Sequence, residues 1–217
     1  MARSLSRTLR LGTRGSPLAL AQARLAADAL RAAHGWDETM IEVIPITTSG
    51  DRIQDRPLAE LGGKALWTKE LDKCLADGRT DLSVHSMKDV ETIRPDMFAI
   101  AAMMTRADAR DRLVGADSLD VLADGARIGT SSPRRTAQLL ARRPDLDVAL
   151  IRGNVQTRLA RLERGEFEAT LLAAAGLDRV GLGQVGTAID DMLPAPSQGA
   201  IGIEILAGND EVGALVA

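Results

Sequence analysis

The sequence predicts an α/β protein of two similar lobes, and three observations support this prediction. Short apolar runs alternate with amphipathic stretches along the 217 residues, which is typical of strand–helix units around a mostly parallel sheet. Residues 12–17 and 129–135 are nearly alike, and each segment joins an apolar run to an amphipathic stretch. With 45% hydrophobic and 26% charged residues, the chain has the composition of a globular protein that buries a full core.

The first lobe is predicted for residues 1–105 together with 200–217. Its helices are predicted at 17–34 and 66–77, and its strands at 8–12, 41–47, 82–85, 98–104 and 200–205. The second lobe is predicted for residues 106–199, and 106–112 is interpreted as the crossover. Its helices are predicted at 133–142 and 155–164, and its strands at 126–129, 148–151 and 169–174.

A second crossing is predicted at residues 193–202, where the chain returns to the first lobe. Two α/β lobes joined by a double crossover hinge, with an interdomain cleft, form the architecture of periplasmic-binding-protein-like ligand binders. Because ligands usually bind in clefts between domains, the sequence predicts a ligand site there.

The two similar junctions predict a pair of anion-binding sites. Ser16 and Ser132 are in position to cap a helix, and Pro17 and Pro133 suit the first helical residue. A capped helix start presents free backbone N–H groups at the positive end of the helix dipole, where anions bind. Arginines stand beside both junctions, and a guanidinium matches a carboxylate or phosphate bidentately. A ligand with several negative groups is therefore predicted.

Composition disfavours several other classes of function. The chain has two Trp, two Phe, no Tyr and a net charge of −3, whereas nucleic-acid binders usually carry aromatic stacking surfaces and a basic footprint. No apolar stretch approaches the length of a membrane span, and residues 1–10 do not resemble a signal peptide. A cytoplasmic protein with neither nucleic-acid nor membrane partners is predicted. The single cysteine excludes an internal disulfide and agrees with a reducing compartment.

Strand ends supply the candidate site residues, since ligands bind beyond the carboxyl ends of strands in open α/β sheets. Four such junctions carry polar or basic side chains, at Arg14, at Ser86 with Lys88 and Asp89, at Arg134 with Arg135, and at Arg152, Gly153 and Asn154 with Arg158. Any one of these arginines alone is more often a solvated surface residue. The prediction therefore depends on the whole set.

Asp89 is a carboxylate among cations, and the sequence leaves two interpretations open. It forms an ordinary surface pair with Lys88, worth ~0–1 kcal/mol. Alternatively it lies among arginines, which keep it ionised and able to hold N–H groups or a cationic intermediate.

Three other features receive structural interpretations. His85 has no histidine partner nearby, so it is predicted to be a hydrogen-bonded structural residue, and no metal site is predicted. Cys74 lies on the apolar face of its helix and is predicted to be buried and inert. The Gly-Gly-Lys sequence at 62–64 predicts either a lid or a simple turn.

A series of longer motifs runs in one order along nearly the whole chain. They are residues 13–20 (TRGSPLAL), 62–64 (GGK), 69–71 (KEL), 85–90 (HSMKDV), 129–132 (GTSS) with Arg134 and Arg135, 150–155 (LIRGNV) with 157–159 (TRL), 174–177 (AAGL) with Arg179, and 198–200 (QGA) with 202–204 (GIE). In these motifs and their order the sequence resembles the porphobilinogen deaminase family, also called hydroxymethylbilane synthases.

The resemblance implies a transferase of tetrapyrrole and heme biosynthesis. Such an enzyme condenses four porphobilinogen molecules, with loss of ammonia, on a covalently held dipyrromethane primer. Each pyrrole carries an acetate and a propionate group, and the arginines are then expected to bind these carboxylates. Asp89 is implied as the catalytic residue, which binds pyrrole N–H groups and stabilises the cationic azafulvene formed when ammonia leaves.

The remaining site residues follow from the same resemblance. Cofactor-binding residues are implied at Ser86, Lys88, Thr130, Ser131, Ser132, Arg134, Arg135, Arg152, Gly153 and Arg158. Substrate-binding residues are implied at Arg14, Ser16, Gln22, Arg179 and Gln198. Lys64 and Trp67 are implied to belong to an active-site loop. The family implies no metal and is typically monomeric.

The sequence also departs from the family pattern. Family members continue for about another domain, an α+β domain that bears the cysteine to which the primer is attached, and Cys74 lies in a different motif. The 217-residue chain is therefore expected to be truncated, to lack that cysteine and to be inactive alone. Glu60 and Pro133 stand where lysine and leucine are more common. The alternative is a non-catalytic two-lobe module that binds polycarboxylates. The two differ at Asp89, because catalysis requires this carboxylate and anion binding does not.

Overall fold

The computed structural model describes residues 7–52 and 66–217. Within them the chain forms two compact units, one of residues 7–52, 66–106 and Ala200–Ala217, the other of Ala107–Gly199. The chain therefore enters the second unit after Arg106 and leaves it before Ala200.

The first unit contains one five-stranded sheet of order β2-β1-β3-β10-β4. Its strands are β1 (Leu9–Arg14), β2 (Ile41–Ile46), β3 (Leu82–Ser86), β4 (Phe98–Met103) and β10 (Ile201–Leu206), and its helices are α1 (Pro17–His34), α2 (Ser49–Arg52), α3 (Lys69–Ala76) and α7 (Asp210–Val216). Strands β1, β2 and β3 are parallel, whereas β10 is antiparallel to both β3 and β4. The sheet is mixed rather than mostly parallel, because the returning strand runs against its two neighbours.

The core of the first unit follows from the spacing of small and apolar residues in α1. Ala19, Ala23, Ala26, Ala27 and Leu30 recur at intervals of three or four, and all are buried. This face packs on β1 and β3, whose leucines and valines form the same core cluster. At its end the helix stops at Gly35, whose φ of 67° is the left-handed conformation that glycine adopts at low cost.

The second unit contains a second five-stranded sheet, of order β7-β6-β8-β5-β9. Its strands are β5 (Asp111–Val114), β6 (Arg127–Gly129), β7 (Asp147–Ala149), β8 (Ala169–Ala173) and β9 (Thr187–Ile189), and its helices are α4 (Pro133–Arg142), α5 (Val155–Glu163) and α6 (Ala174–Arg179). Strands β6, β7 and β8 are parallel, and β5 is antiparallel to β8 and β9. Leu113, Ile128, Leu139 and Leu171 are fully buried at the centre of this unit.

The predicted crossover at 106–112 is wrong for its last two residues. Asp111 and Arg112 belong to β5, where Asp111 pairs with Ala173 at the end of β8. This strand begins with the charged residues Asp111 and Arg112, whereas a strand that is buried in a sheet is expected to be apolar. The sequence pattern therefore did not indicate a strand here. Since β5 is antiparallel, its first residue lies at the edge where β6 and β8 end.

Candidate functional site

The two similar junctions have the predicted local geometry. The Ser16 hydroxyl accepts a hydrogen bond from the Ala19 amide at 3.3 Å, and Pro17 is the first residue of α1. In the second unit the Ser132 hydroxyl accepts from the Arg135 amide at 3.4 Å, and α4 begins at Pro133. Both predicted helix starts are thus confirmed, and each follows the carboxyl end of a parallel strand.

In the first unit, Arg14 and Asp89 lie together at the carboxyl edge of the sheet. Arg14 ends β1, and Asp89 ends a short 3-10 turn (Met87–Asp89) that follows β3. The Arg14 Nη1 atom lies 3.9 Å from the Asp89 Oδ2 atom, and both side chains are partly exposed, at 22% and 29%. The Arg14 guanidinium carbon also lies 3.9 Å from the centroid of the Trp67 ring. The geometry therefore joins a predicted substrate-binding residue, the predicted catalytic carboxylate and the predicted aromatic residue.

The other predicted residues of this unit surround the same strand ends. The Ser86 hydroxyl donates to the Gln22 Oε1 atom at 2.9 Å, which links the end of β3 to α1. Gln22 is buried, whereas Ser86 and Lys88 are half-buried. Lys64 and its two glycines lie outside the described residues.

In the second unit, one buried carboxylate accepts hydrogen bonds from three predicted site residues. Asp111 is fully buried. Its Oδ2 atom accepts from Arg134 Nη2 at 2.7 Å, and its Oδ1 atom accepts from Arg135 Nη2 at 2.7 Å and from Gln198 Nε2 at 2.8 Å. Burial alone raises the pKa of Asp111, but the hydrogen bonds and charges of Arg135 and Arg134 outweigh it and lower the pKa to about 2.

Because of these hydrogen bonds, some of the predicted ligand-binding side chains point toward the protein interior. Arg135 is 7% exposed, and its Nη1 atom donates to the Leu171 carbonyl at 2.8 Å. Gln198 is 1% exposed, and it also donates to the Ala109 carbonyl at 2.6 Å. Arg134 is 23% exposed at its side chain and donates to the Leu193 carbonyl as well. Asp111 therefore fixes these side chains from inside, a role that the sequence analysis missed.

Arg158 stands apart from these ion pairs. Its Nε atom donates to the Gly153 carbonyl at 3.0 Å, and among the described residues no carboxylate forms an ion pair with it. Burial, together with the positive charges of Arg135 and Arg152, lowers the pKa of Arg158 to about 10. A half-buried guanidinium beside two other cations, with no carboxylate partner among the described residues, favours the approach of an anion.

The loop before α5 is shaped closely around this guanidinium. Asn154 caps α5 by accepting from the Thr157 amide at 2.9 Å. Gly153 has a φ of 109°, and a Cβ atom there would lie 2.6 Å from the Thr157 Cγ2 atom. Only glycine fits this position without strain, so the loop presents its Gly153 carbonyl to Arg158.

The remaining predicted residues of the second unit have mixed environments. The Thr130 hydroxyl accepts from the Ser132 amide at 3.2 Å, and Ser131 is half-buried. Arg179 donates from Nη2 to the Gly199 carbonyl at 2.6 Å, and burial lowers the pKa of this guanidinium. Arg179 and Thr130 thus support the strand-end loops of their own unit.

Two structural interpretations from the sequence are confirmed. The His85 Nε2 atom lies 2.9 Å from the Glu204 Oε2 atom, and Arg94 pairs with the same buried carboxylate at 2.7 Å. Cys74 is 2% exposed, and burial raises the pKa of its thiol. A buried thiol of raised pKa is a poor nucleophile, so Cys74 is unsuited to covalent attachment of a cofactor. Arg94 was not predicted, because two of its three carboxylate partners, Asp72 and Glu204, are distant in sequence.

Residues 7–52 and 66–217 contain neither a metal-binding cluster nor a membrane-spanning helix. No group of three or more His, Cys, Asp or Glu side chains is placed to hold a metal ion. Within the same residues, no helix has both the length and the apolar character needed to cross a membrane.

Two α/β units, each built on a five-stranded sheet with parallel and antiparallel strands, define the fold of the periplasmic substrate-binding proteins. The second substrate-binding domain of GlnP from Lactococcus lactis matches with a TM-score of 0.57 at 13% identity, over 100% of this chain and 89% of that one. A periplasmic substrate-binding protein of an ABC transporter from Coxiella burnetii matches with a TM-score of 0.56 at 14% identity, over 96% and 90%. These similarities confirm the predicted fold class.

Sequence comparison identifies the family. The family model described as porphobilinogen deaminase, dipyromethane cofactor binding domain, matches residues 9–214. A porphobilinogen deaminase of Sphingopyxis alaskensis is 57% identical over 216 residues, which cover 96% of this chain and 69% of the relative. One of Burkholderia pseudomallei is 50% identical over 218 residues, which cover 98% and 66%. The chain belongs to the porphobilinogen deaminase family, and it spans about two thirds of the length of these relatives.

Proposed function

We propose that the chain forms the carboxylate-binding part of a hydroxymethylbilane synthase of tetrapyrrole and heme biosynthesis. This enzyme joins four porphobilinogen molecules head to tail and releases ammonia from each. The observation that carries the proposal is Arg158, a half-buried guanidinium with no carboxylate partner in the described part of the chain. Because a buried charge is unfavourable without a partner, an anionic ligand completes this site.

The second unit is proposed to hold the dipyrromethane. When bound, this group supplies the primer to which pyrroles are added. The donors present fit its acetate and propionate groups, since Arg158, Arg152 and Arg134 provide guanidinium groups and the capped start of α4 provides backbone N–H groups. In this assignment Arg135 adds positive charge while Asp111 and the Leu171 carbonyl hold it in place.

The first unit is proposed to bind the incoming porphobilinogen. Arg14, with Ser16 near the start of α1, binds a carboxylate of the substrate. Asp89 lies near Arg14 and is partly exposed, so its carboxylate can accept from the pyrrole N–H. The same charge stabilises the positive charge that develops on the pyrrole as ammonia leaves. Ser86, which donates a hydrogen bond to Gln22 at this strand end, and Lys88 are proposed to bind carboxylates. Lys64 is proposed to belong to the active-site loop.

We also propose that the protein is cytoplasmic and monomeric, as the family resemblance implies. Cys74 is the single cysteine of the 217 residues, so they form no internal disulfide, which agrees with a reducing compartment. Size-exclusion chromatography with light scattering tests the monomer.

A non-catalytic polycarboxylate-binding module is the second candidate function, and Asp89 distinguishes the two. A carboxylate beside Arg14 weakens anion binding and has no purpose in a pure binder. In an enzyme the same carboxylate stabilises the positive charge that develops in the transition state.

Asp89→Asn is expected to reduce ammonia release by about 10²–10³-fold and to leave carboxylate binding unchanged or stronger. The assay uses a chimera in which the remaining length of the Sphingopyxis alaskensis relative is joined to this chain. Porphobilinogen is the substrate, and calorimetry of the 217-residue chain measures binding. Asp96→Asn, which removes an exposed carboxylate of the same unit, is the matched control. Equal turnover by the Asp89→Asn and unsubstituted chimeras would refute the catalytic assignment.

A further inference from the structure

Trp67 packs against a position of α2 that has no side chain. A Cβ atom placed on Gly50 would lie 2.3 Å from Cζ3, 2.5 Å from Cε3 and 2.7 Å from Cη2 of the Trp67 ring. Carbon atoms do not approach this closely, so any side chain at Gly50 displaces the ring. The indole therefore occupies space that only glycine leaves open.

A second contact holds α2 beside the segment that carries Trp67. The Glu70 Oε1 atom, in the first turn of α3, accepts from the Ser49 amide at 3.0 Å and also from the Ser49 hydroxyl. Trp67 precedes α3, and Gly50 follows Ser49 in α2. These hydrogen bonds thus hold α2 beside the start of α3, next to the segment that carries Trp67.

The Trp67 ring also contacts the Arg14 guanidinium. The guanidinium carbon lies 3.9 Å from the ring centroid, well within the range of a cation–π interaction. A guanidinium that stacks by its flat face keeps its N–H groups pointing outward in the plane of the group. An arginine held in this way is pre-organised for a carboxylate, because less side-chain freedom is lost on binding.

We propose that Gly50 and Trp67 are positioning residues that hold Arg14 for the carboxylate of porphobilinogen. This inference rests on the proposed substrate-binding role of Arg14. Gly50 acts through Trp67, and Trp67 acts through Arg14, so neither needs to touch the reacting atoms. The sequence analysis placed Trp67 in an active-site loop but did not connect it to Gly50 or Arg14.

The test measures ring position and porphobilinogen binding separately. Trp36→Phe is introduced first, because Trp36 and Trp67 are the two tryptophans of the chain and Trp67 then supplies all tryptophan fluorescence. In this background Gly50→Ala, Trp67→Leu, Trp67→Phe and Arg14→Gln are compared. Gly213→Ala is the matched control, since it adds a methyl group to another helix of the same unit at an ordinary distance of 3.4 Å from Ile205.

Gly50→Ala and Trp67→Leu are expected to weaken porphobilinogen binding about tenfold, a value within the range of cation–π energies. Trp67→Phe is expected to retain part of the affinity, because phenylalanine also stacks on a cation. Gly50→Ala should also shift the fluorescence maximum and increase acrylamide quenching, whereas Gly213→Ala should change neither binding nor fluorescence.

The outcomes separate this inference from the proposed function. If Arg14→Gln binds porphobilinogen as tightly as the unsubstituted chain, the proposed role of Arg14 is wrong. If Arg14→Gln weakens binding but Gly50→Ala and Trp67→Leu do not, the positioning role is wrong. Should Gly50→Ala lose its cooperative unfolding transition, the comparison of Trp67→Leu with Trp67→Phe decides, and equal affinity of these two variants contradicts the inference.

Discussion

Asp111→Asn is expected to lower the free energy of unfolding by about 3–5 kcal/mol, the usual cost of removing one partner from a buried ion pair. The substitution keeps the shape of the side chain but removes its charge. Arg135, only 7% exposed, then remains buried beside Arg134 without a carboxylate. Urea unfolding followed by circular dichroism measures the loss.

Asp190→Asn is the matched control for this substitution. Asp190 pairs with Arg110 at 2.6 Å in the same unit, but its side chain is 80% exposed. An exposed pair contributes at most about 1 kcal/mol, so the control should remain near the unsubstituted stability. Equal losses in the two variants would show that Asp111 is not the buried anchor described above.

Acid provides an independent measure of the same ion pairs. The pKa of Asp111 is lowered from 3.8 to about 2, so its contribution to stability is fully present above about pH 4. That contribution is lost as the pH falls from about 4 to 2, because the native carboxylate must then be protonated. The stability of the unsubstituted chain should therefore fall more steeply over this interval than that of Asp111→Asn. Parallel curves would contradict the assignment.

Arg158→Met is expected to have opposite effects on stability and on binding. The lowered pKa of about 10 means that folding disfavours the charged guanidinium, and this penalty applies at every pH below that value. Methionine removes the charge and retains most of the volume, so the unliganded protein should gain about 1–2 kcal/mol, less than a fully buried charge would cost because solvent screens it.

Binding by the same variant should be lost. A dipyrromethane with two acetate and two propionate groups, at a concentration of 100 times its Kd, is expected to stabilise the unsubstituted chain by about 2.7 kcal/mol. Arg158→Met should show little or no such stabilisation in thermal unfolding. Arg164→Met, at the other end of the same helix, is the control, because Arg164 is 59% exposed and pairs with Glu166. A variant that is less stable and still binds the ligand would contradict the role of Arg158.

Local sequence signals were sufficient for the two capped helices at the site. Helices α1 and α4 begin and end at the predicted residues, since a serine cap followed by proline defines a helix start within a few residues. Helix α3 begins later than predicted, at Lys69, and Thr68 before it makes no side-chain capping bond. Strands β5 and β9 and helices α2, α6 and α7 were not predicted, because they are short and their patterns are weak.

The internal support of the site was beyond local reasoning. The partners of Asp111 lie 23, 24 and 87 residues away in the chain, so no short motif indicates that its carboxylate is buried. The contact of Gly50 with Trp67 likewise requires the fold. Strand-end arginines were predictable because topology brings the ends of parallel strands to one edge. The counter-ion of Arg134 and Arg135, in contrast, comes from antiparallel β5, and Gln198 of the return segment donates a hydrogen bond to it.

The central claim is that the strand-end arginines recognise the carboxylates of linked pyrroles. Calorimetry with two forms of the same dipyrromethane tests it most directly, one with free acetate and propionate groups and one with all four as methyl esters. The esters keep the rings and their N–H groups but carry no negative charge. The account predicts stoichiometric binding of the free acid and at least a hundredfold weaker binding of the ester, consistent with the loss of charge-assisted hydrogen bonds worth about 1.5–3 kcal/mol each. Equal affinity for acid and ester would contradict it.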